Sequence, residues 1–552
     1  MKLFLLKKQM GWYLLFVLAI TAGSCKKNNV EAPAPGGGGG GTTTPPVAGT
    51  RMQLTLDSLF LYAKDIYYWN DALPSYDVFN PRGYSSSSVN LTNYNSELFA
   101  ISQLKINPAT GKPYEYRTSN PSVPKYSRIE DNTLSNAQQS SADASVGTDN
   151  IGYDMGFLFF QGYGPSDNNY VLYVGGVYAN SPAANAGITR GTIISKINGA
   201  SIGTDFANES VVMNNITSNK LTTATFSGTR TDGTKFDNLS LSVTKYTSTP
   251  IYKSAVVNQG GKKIGYLAYA RFSTLSNPDS RNPSDVSLDP IFANFASNGI
   301  TDLVVDLRYN GGGSVQTAEY LMNLIIPSSA SGVLYKEYYN PTMQAGNAKI
   351  LVNQPLTDGA GKIIYSNGRM LTYADVNYSE AGNTYNISKK GSLTGIQNLI
   401  FIVSGNTASA SELVINCLKP YVNNVKLIGT TTYGKPVGFF PIVLENRYTV
   451  YMPNFETKNS RGEGGYYAGF TPDFPAGTGL YDDSTHDFGD VNESYFKKAL
   501  SILSPAPATV SSLSSTVTIN NRAMSTETLK QMPSNGVNTK FNGMVETRHR
   551  LK

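Results

Sequence analysis

Two cysteines and two histidines in 552 residues leave little room for metal or disulfide chemistry. A disulfide scaffold needs several even-numbered cysteines, and a structural zinc site needs clustered Cys or His ligands. Charge is also sparse. Charged residues make up 15% of the chain and the net charge is +6, with no dense Lys/Arg stripe, so nucleic acid is not an expected partner. Long apolar runs are missing except near the start, which excludes a multi-span membrane protein. What is abundant is Tyr (36), Gly (52) and small polar residues. With 40% hydrophobic residues, the chain is apolar enough to build several domains and too apolar for a disordered one.

The N-terminus reads as an address. Lys2, Lys7 and Lys8 precede the apolar run Trp12 to Ile20, then the small residues Thr21 to Ser24, then Cys25. This is the layout of a secretory signal peptide. A cysteine directly after the small residues resembles a bacterial lipobox, with Ala22 where that pattern usually has Leu. The resemblance implies a signal peptide over 1–25, a lipid on Cys25, and a cell-envelope protein held to a membrane by that anchor. Lys26-Lys27-Asn28-Asn29 carries no acidic cluster, which favours the periplasmic side over the outer-membrane surface. Residues 26–50, with Gly36 to Gly41 and Pro45-Pro46, form a flexible tether. With Cys25 lipidated, Cys417 has no partner within the chain.

The expected body is multidomain α/β (α+β). Residues 51–148 are read as a mostly helical N-terminal domain, because Leu54, Leu56, Leu59, Leu61, Tyr62 and Ile66 recur at roughly helical spacing over 51–72. From 150 to 247 short β runs alternate with turns, the clearest being 157–160, 170–174 and 192–197. From 250 to 503 the pattern is mixed. Strands are expected at 264–268, 302–306, 399–403, 425–428 and 437–444, with helices near 289–298, 315–325 and 409–419. The tail, 504–552, is rich in Ser, Thr, Asn and Pro and reads as weakly ordered.

Four segments carry chemistry. In the first, Ser181-Pro182 opens a short helix, Gly187 closes it, and a strand returns to Asn198-Gly199. The second is LVVDLRYNGGGS over 303–314, a buried strand running into a glycine turn. The third is TASASE over 407–412, at a strand-to-helix turn where amides are unsatisfied and can stabilise an oxyanion. Alone, it reads equally as a serine-rich helix cap. The fourth is GTTTYGKPVG over 429–438. It imitates a phosphate loop, but Pro436 stands where that motif needs Ser or Thr, and a strand follows rather than a helix.

The first segment resembles a PDZ domain, which implies that residues 150–247 bind a polypeptide end by strand addition. Gly156, Phe157, Leu158 and Phe159 would carry the carboxylate loop. All four in order resemble the S41 serine peptidases, the carboxyl-terminal processing or tail-specific proteases, with a ClpP/crotonase-like core over 250–503. The resemblance implies polypeptide substrates, no cofactor and no metal, with Ser409 as nucleophile and Lys435 as general base. The oxyanion donors would be the amides of Ala410 and Gly312. Two family features are absent: Pro420-Tyr421 stands where some members have an Asp, and Phe439 where some have a Gln that orients the lysine. A Ser-His-Asp triad is the rival chemistry, but His486 sits in the polar run 482–487 and reads as a surface residue. The competing functional classes are a catalytically inactive peptide-binding lipoprotein and a glycan-binding one.

Overall fold

The computed structural model describes residues 46–133, 146–279, 281–358, 361–477, 479–505, 516–519, 522–525, 530–532, 543–548 and 550–552. The expected signal peptide, Cys25 and most of the tether lie outside the described residues. Among those described, no helix is long and apolar enough to cross a membrane.

The chain opens with α1 (Arg51–Ile66), closed at its start by a reciprocal pair. Gln53 N–H donates to Thr50 Oγ1, and Thr50 N–H donates to Gln53 Oε1. The helix is shorter than its apolar spacing suggests. Tyr67 turns extended and buries its ring, so that its hydroxyl donates to Glu115 at 2.7 Å. Next come α2 (Asn90–Ser102) and β1 (Arg128–Asp131). Among the described residues, this N-terminal part has no separate core. Leu56, Leu59, Phe60, Tyr94 and Tyr126 belong to the same apolar cluster as Leu303, Phe401 and Leu413.

A β-rich module follows. It comprises β2 (Phe157–Ser166), β3 (Asn169–Val177), β4 (Ile193–Ile197), α3 (Phe206–Thr217), β5 (Thr223–Thr229) and β6 (Lys235–Ser242). The strands lie in the order β6-β5-β4-β3-β2, with the short strand Ala200–Ser201 beside β4. Leu172, Ile194, Phe226 and Met213 fill the module's own core.

The next layer is a six-stranded sheet. Its elements enter in the order β7 (Ile251–Gln259), β8 (Lys262–Tyr269), α4 (Leu288–Ser297), β9 (Asp302–Asp306), β10 (Gly312–Ser314), α5 (Val315–Ile325), β11 (Asn398–Val403), α6 (Ala410–Leu418) and β12 (Asn424–Gly429). Then come β13 (Val437–Gly438), β14 (Ile442–Leu444), β15 (Tyr448–Tyr451), β16 (Phe455–Asn459), β17 (Phe474–Pro475) and α7 (Ser494–Leu503). The sheet order is β7-β8-β9-β11-β12-β17, parallel from β8 onward. Alternate residues serve opposite faces. Leu303, Val305, Leu399 and Phe401 pack with α4, α5 and α6. Val304, Ile400 and Ile402 pack under Phe496 and Leu500 of α7. Burial on both faces is why these strands read as unbroken apolar runs.

Two expectations need correction. The strand expected over 437–444 is two, β13 and β14, in different sheets, because Pro441 between them supplies no N–H for a continuous ladder. The tail was expected to be weakly ordered, but its described residues include β18 (Lys530–Gln531), on the edge of β2, and β19 (Gly543–Val545), parallel to β10.

A buried charge cluster ties the module to the sheet. Arg308 Nη2 donates to Asp306 Oδ2 at 2.7 Å, and its Nη1 reaches Glu493 Oε1 at 2.7 Å and Asp482 Oδ1 at 2.9 Å. Arg190, from the module, donates to the same Asp482 oxygen at 2.9 Å and to the Tyr309 hydroxyl. Removing the shared cation leaves buried carboxylates unbalanced. Arg308→Ala is therefore expected to lose about 3–5 kcal/mol of unfolding free energy in a urea titration, far more than an exposed Arg281→Ala.

Candidate active site

β11 ends at Val403, and the chain must turn before α6 begins at Ala410. Hydroxyl groups sew that turn to the loop after β9. Thr407 Oγ1 donates to Leu307 O at 2.7 Å, Ser404 Oγ donates to Arg308 O, and Ser411 Oγ donates to Asn310 O at 3.0 Å. The bond from Thr407 needs only its hydroxyl.

Ser409 is the residue just before α6. Its backbone is held at φ 61° and ψ −109°, a left-handed conformation that strains any residue with a β-carbon. Its side chain is fully buried, and among the described residues Oγ has no hydrogen-bond partner. A buried, unsatisfied hydroxyl on a strained turn is expensive to fold.

Glu412, one turn into α6, fixes that geometry. Its carboxylate is fully buried and accepts four hydrogen bonds. Oε2 takes the N–H groups of Ser409 and Lys435, both at 2.8 Å, while Oε1 takes Gly434 N–H at 2.7 Å and Thr432 Oγ1–H at 2.6 Å. The serine backbone and the lysine backbone thus meet on a single oxygen atom. Burial raises the Glu412 carboxyl above its ordinary value, against the pull of these four bonds.

Lys435 is 1% exposed. Its amine lies 4.3 Å from the centre of the Phe439 ring and 5.6 Å from that of Tyr126. Burial, and then the nearby Arg128 charge, hold it well below the usual lysine value of 10.5. Both influences favour the neutral amine. Phe439 forms part of the wall around the amine.

Tyr126, Lys125 and Arg128 were not singled out in the sequence. Tyr126 Oη donates to Gly434 O at 2.6 Å, and Lys125 Nζ donates to the same oxygen at 3.2 Å. Lys125 itself is lowered to about 8 by burial. Behind them, Glu115 accepts from Ser127 N–H at 2.7 Å and Tyr126 N–H at 3.1 Å. The sequence signal for these residues was weak, because their stretch has no apolar period.

The glycine turn packs against the start of α6. Gly312 has φ 109°, and a β-carbon there would lie 3.1 Å from both Ala408 O and Ala410 N. Ala410 is the first residue of α6, so its N–H has no intrahelical acceptor. The Gly312 N–H donates to Asn310 Oδ1 at 2.9 Å. The expected peptide loop lies apart from this cluster. Gly156 has φ 97°, and a β-carbon would collide with Ser181 Oγ at 1.9 Å. Phe157 faces the module core, while Leu158 and Phe159 face the underside of the large sheet. His486 is partly exposed, with Nδ1 2.7 Å from Asp483, on the loop that meets Arg190. It does not join Ser409.

Two outcomes follow from this geometry. Ser409→Gly relieves the left-handed strain and should gain about 1 kcal/mol of stability in chemical denaturation, a gain that Ser409→Ala should not share. Glu412→Gln turns an amide NH2 toward two N–H donors and should cost about 1–3 kcal/mol, read as a lowered Tm.

Residues 263–476 match the family model Peptidase family S41. That span holds Ser409, Glu412, Lys435 and the glycine turn. No curated protein matches the chain. Among solved structures, one assigned as an S41 protease from Bacteroides fragilis NCTC 9343 is similar with a TM-score of 0.51 and 21% identity, over 81% of this chain and 97% of that one. The photosystem II D1 C-terminal processing protease gives 0.41 and 15%, over 82% and 98%. Mature CPAF gives 0.39 and 13%, over 82% and 96%. The first likeness supports the fold; the other two are too distant to carry an argument. The likeness of this chain to peptidase family S41 therefore rests on residues 263–476, the segment in which Ser409, Glu412 and Lys435 meet.

Proposed function

We propose that the chain is a serine endopeptidase working through a Ser409–Lys435 dyad on unstructured or C-terminally exposed polypeptides. The observation that carries this reading is the Lys435 amine, held dry and depressed in pKa on a backbone that shares a Glu412 oxygen with the Ser409 backbone. Ser plus Lys is a recognised form of the triad logic.

In this mechanism neutral Lys435 takes the Ser409 hydroxyl proton as Oγ attacks a peptide carbonyl. The new oxyanion is stabilised by the Ala410 N–H at the positive end of α6. A second donor comes from the glycine turn, where the Gly312 N–H would have to leave Asn310 to serve. The tetrahedral intermediate collapses as the lysine ammonium returns its proton to the leaving amine. An acyl-enzyme on Ser409 remains, and water hydrolyses it through the same base.

The β-rich module is PDZ-like in this reading and presents a polypeptide end to the serine, with Gly156 to Phe159 as its carboxylate loop. A lipid on Cys25 and the tether behind it would hold the body at the cell envelope. Neither feature is needed for the chemistry.

Casein degradation tests the assignment. Wild type should cleave it, while Ser409→Ala and Lys435→Ala should each lose roughly three orders of magnitude or more in kcat/KM. Equal rates in wild type and Ser409→Ala would leave an inactive binding lipoprotein instead.

A pH series tests the base. Lys435 is charged and idle below its depressed pKa and neutral above it, so kcat/KM should rise with pH through that value. The same shift acts on stability. Between the depressed native pKa and the ordinary 10.5, the unfolded chain binds more protons than the native one, so stability rises with pH across that window. Lys435→Met should flatten that slope in urea titrations at several pH values.

A further inference from the structure

The buried dyad leaves a question that the tail answers. Ser409 and Lys435 are almost wholly covered, yet a peptidase must admit a polypeptide between them. β19 lies at that place. On one side it pairs in parallel with β10, Gly543 opposite Gly312 and Val545 opposite Ser314, and Gly543 N–H donates to Gly311 O at 3.1 Å. On the other side Phe439 N–H donates to Met544 O at 3.0 Å, and Glu546 N–H donates to Phe439 O at 3.2 Å. The segment is therefore a strand inserted between the glycine turn and the residues that follow Lys435.

Its carbonyl reaches the site itself. A β-carbon added to Gly312 would sit 2.6 Å from Gly543 O and 3.1 Å from Ala410 N, so the tail's oxygen and the first amide of α6 approach the same α-carbon. The Met544 side chain is fully buried in the main apolar cluster. Beyond it Arg548 anchors the segment, donating to Glu546 Oε2 at 2.7 Å and to the Tyr335 hydroxyl at 2.9 Å.

The tail meets the β-rich module in the same manner. β18 adds antiparallel to β2, Gln531 opposite Tyr163, and Met532 N–H donates to Gly162 O at 2.9 Å. Met532 is 1% exposed in the module core. In both places the main contacts are backbone hydrogen bonds, which any extended chain can make, plus one buried methionine. Strand addition of this kind is a general way to hold a peptide.

We propose that residues 543–545 occupy the groove through which a substrate polypeptide passes Ser409, as an intramolecular occupant that substrate must displace, and that the pocket under Met544 selects an unbranched apolar side chain. This rests on the peptidase reading for the word substrate, but the groove and its occupant are separable from it. A tethered occupant acts at an effective concentration of roughly millimolar, so it competes strongly at micromolar substrate. As a competitor it raises KM and leaves kcat alone.

Two forms displace it. Met544→Asp puts a charge in the apolar pocket. In the second form, a recognition sequence for an unrelated protease is placed between Met532 and Gly543; this form is folded intact and cut afterwards, so it decides alone if Met544→Asp does not fold. Both should lower KM for casein roughly tenfold or more at unchanged kcat. A synthetic peptide of residues 541–548 should restore the high KM competitively in the cut form. Unchanged KM in both forms, or purely non-competitive inhibition by the peptide, overturns the proposal. Binding of the labelled peptide to the Ser409→Ala protein separates the two ideas. Saturable binding to its cut form, at least roughly tenfold tighter than to its uncut form, keeps the groove even if no form hydrolyses casein. Equal binding to both overturns it.

Discussion

The carboxylate of Glu412 is the fixed point of the site. Four donors from two distant stretches of chain end on its two oxygens, and two of them are the backbone N–H groups of Ser409 and Lys435. Backbone anchoring has a specific advantage here. It sets the origins of both side chains through their backbone N–H groups. It also explains how a residue can persist at φ 61° and ψ −109°, because the strain at Ser409 is offset by bonds that no other local conformation could make.

Around that point the protein sorts charge by depth. The carboxylate is surrounded by N–H and O–H donors, whereas the lysine is surrounded by rings and a neighbouring guanidinium. The two groups lie close in the fold but experience opposite environments.

Much of the large domain was legible in the sequence. Strand 302–306 and helix 315–325 lie where expected, since doubly buried strands and amphipathic helices carry strong periodic signals. The motifs singled out Ser409 and Lys435, and the structure puts their backbones on one carboxylate oxygen. Glu412 was visible as part of a motif but not as a hub, because a buried acid looks like any helix-start glutamate until its partners are known. Tyr126 and Arg128 were invisible for a different reason: they act through contacts with residues some three hundred positions away. The tail misled because strand addition relies on backbone bonds, so Ser- and Asn-rich composition says little about it.

The separation in sequence between the N-terminal stretch and the site has a kinetic consequence. Tyr126 donates to Gly434 across 308 positions, and Thr55 donates to Glu445 across 390. Contacts this remote close late and slowly, since each requires the intervening chain to have been synthesised and largely collapsed. The wall that keeps the lysine dry is built from an early segment and waits for a late one. A growing chain that already carries Ser409 still lacks the surroundings that bury Lys435, so that burial is completed only when the two distant segments meet.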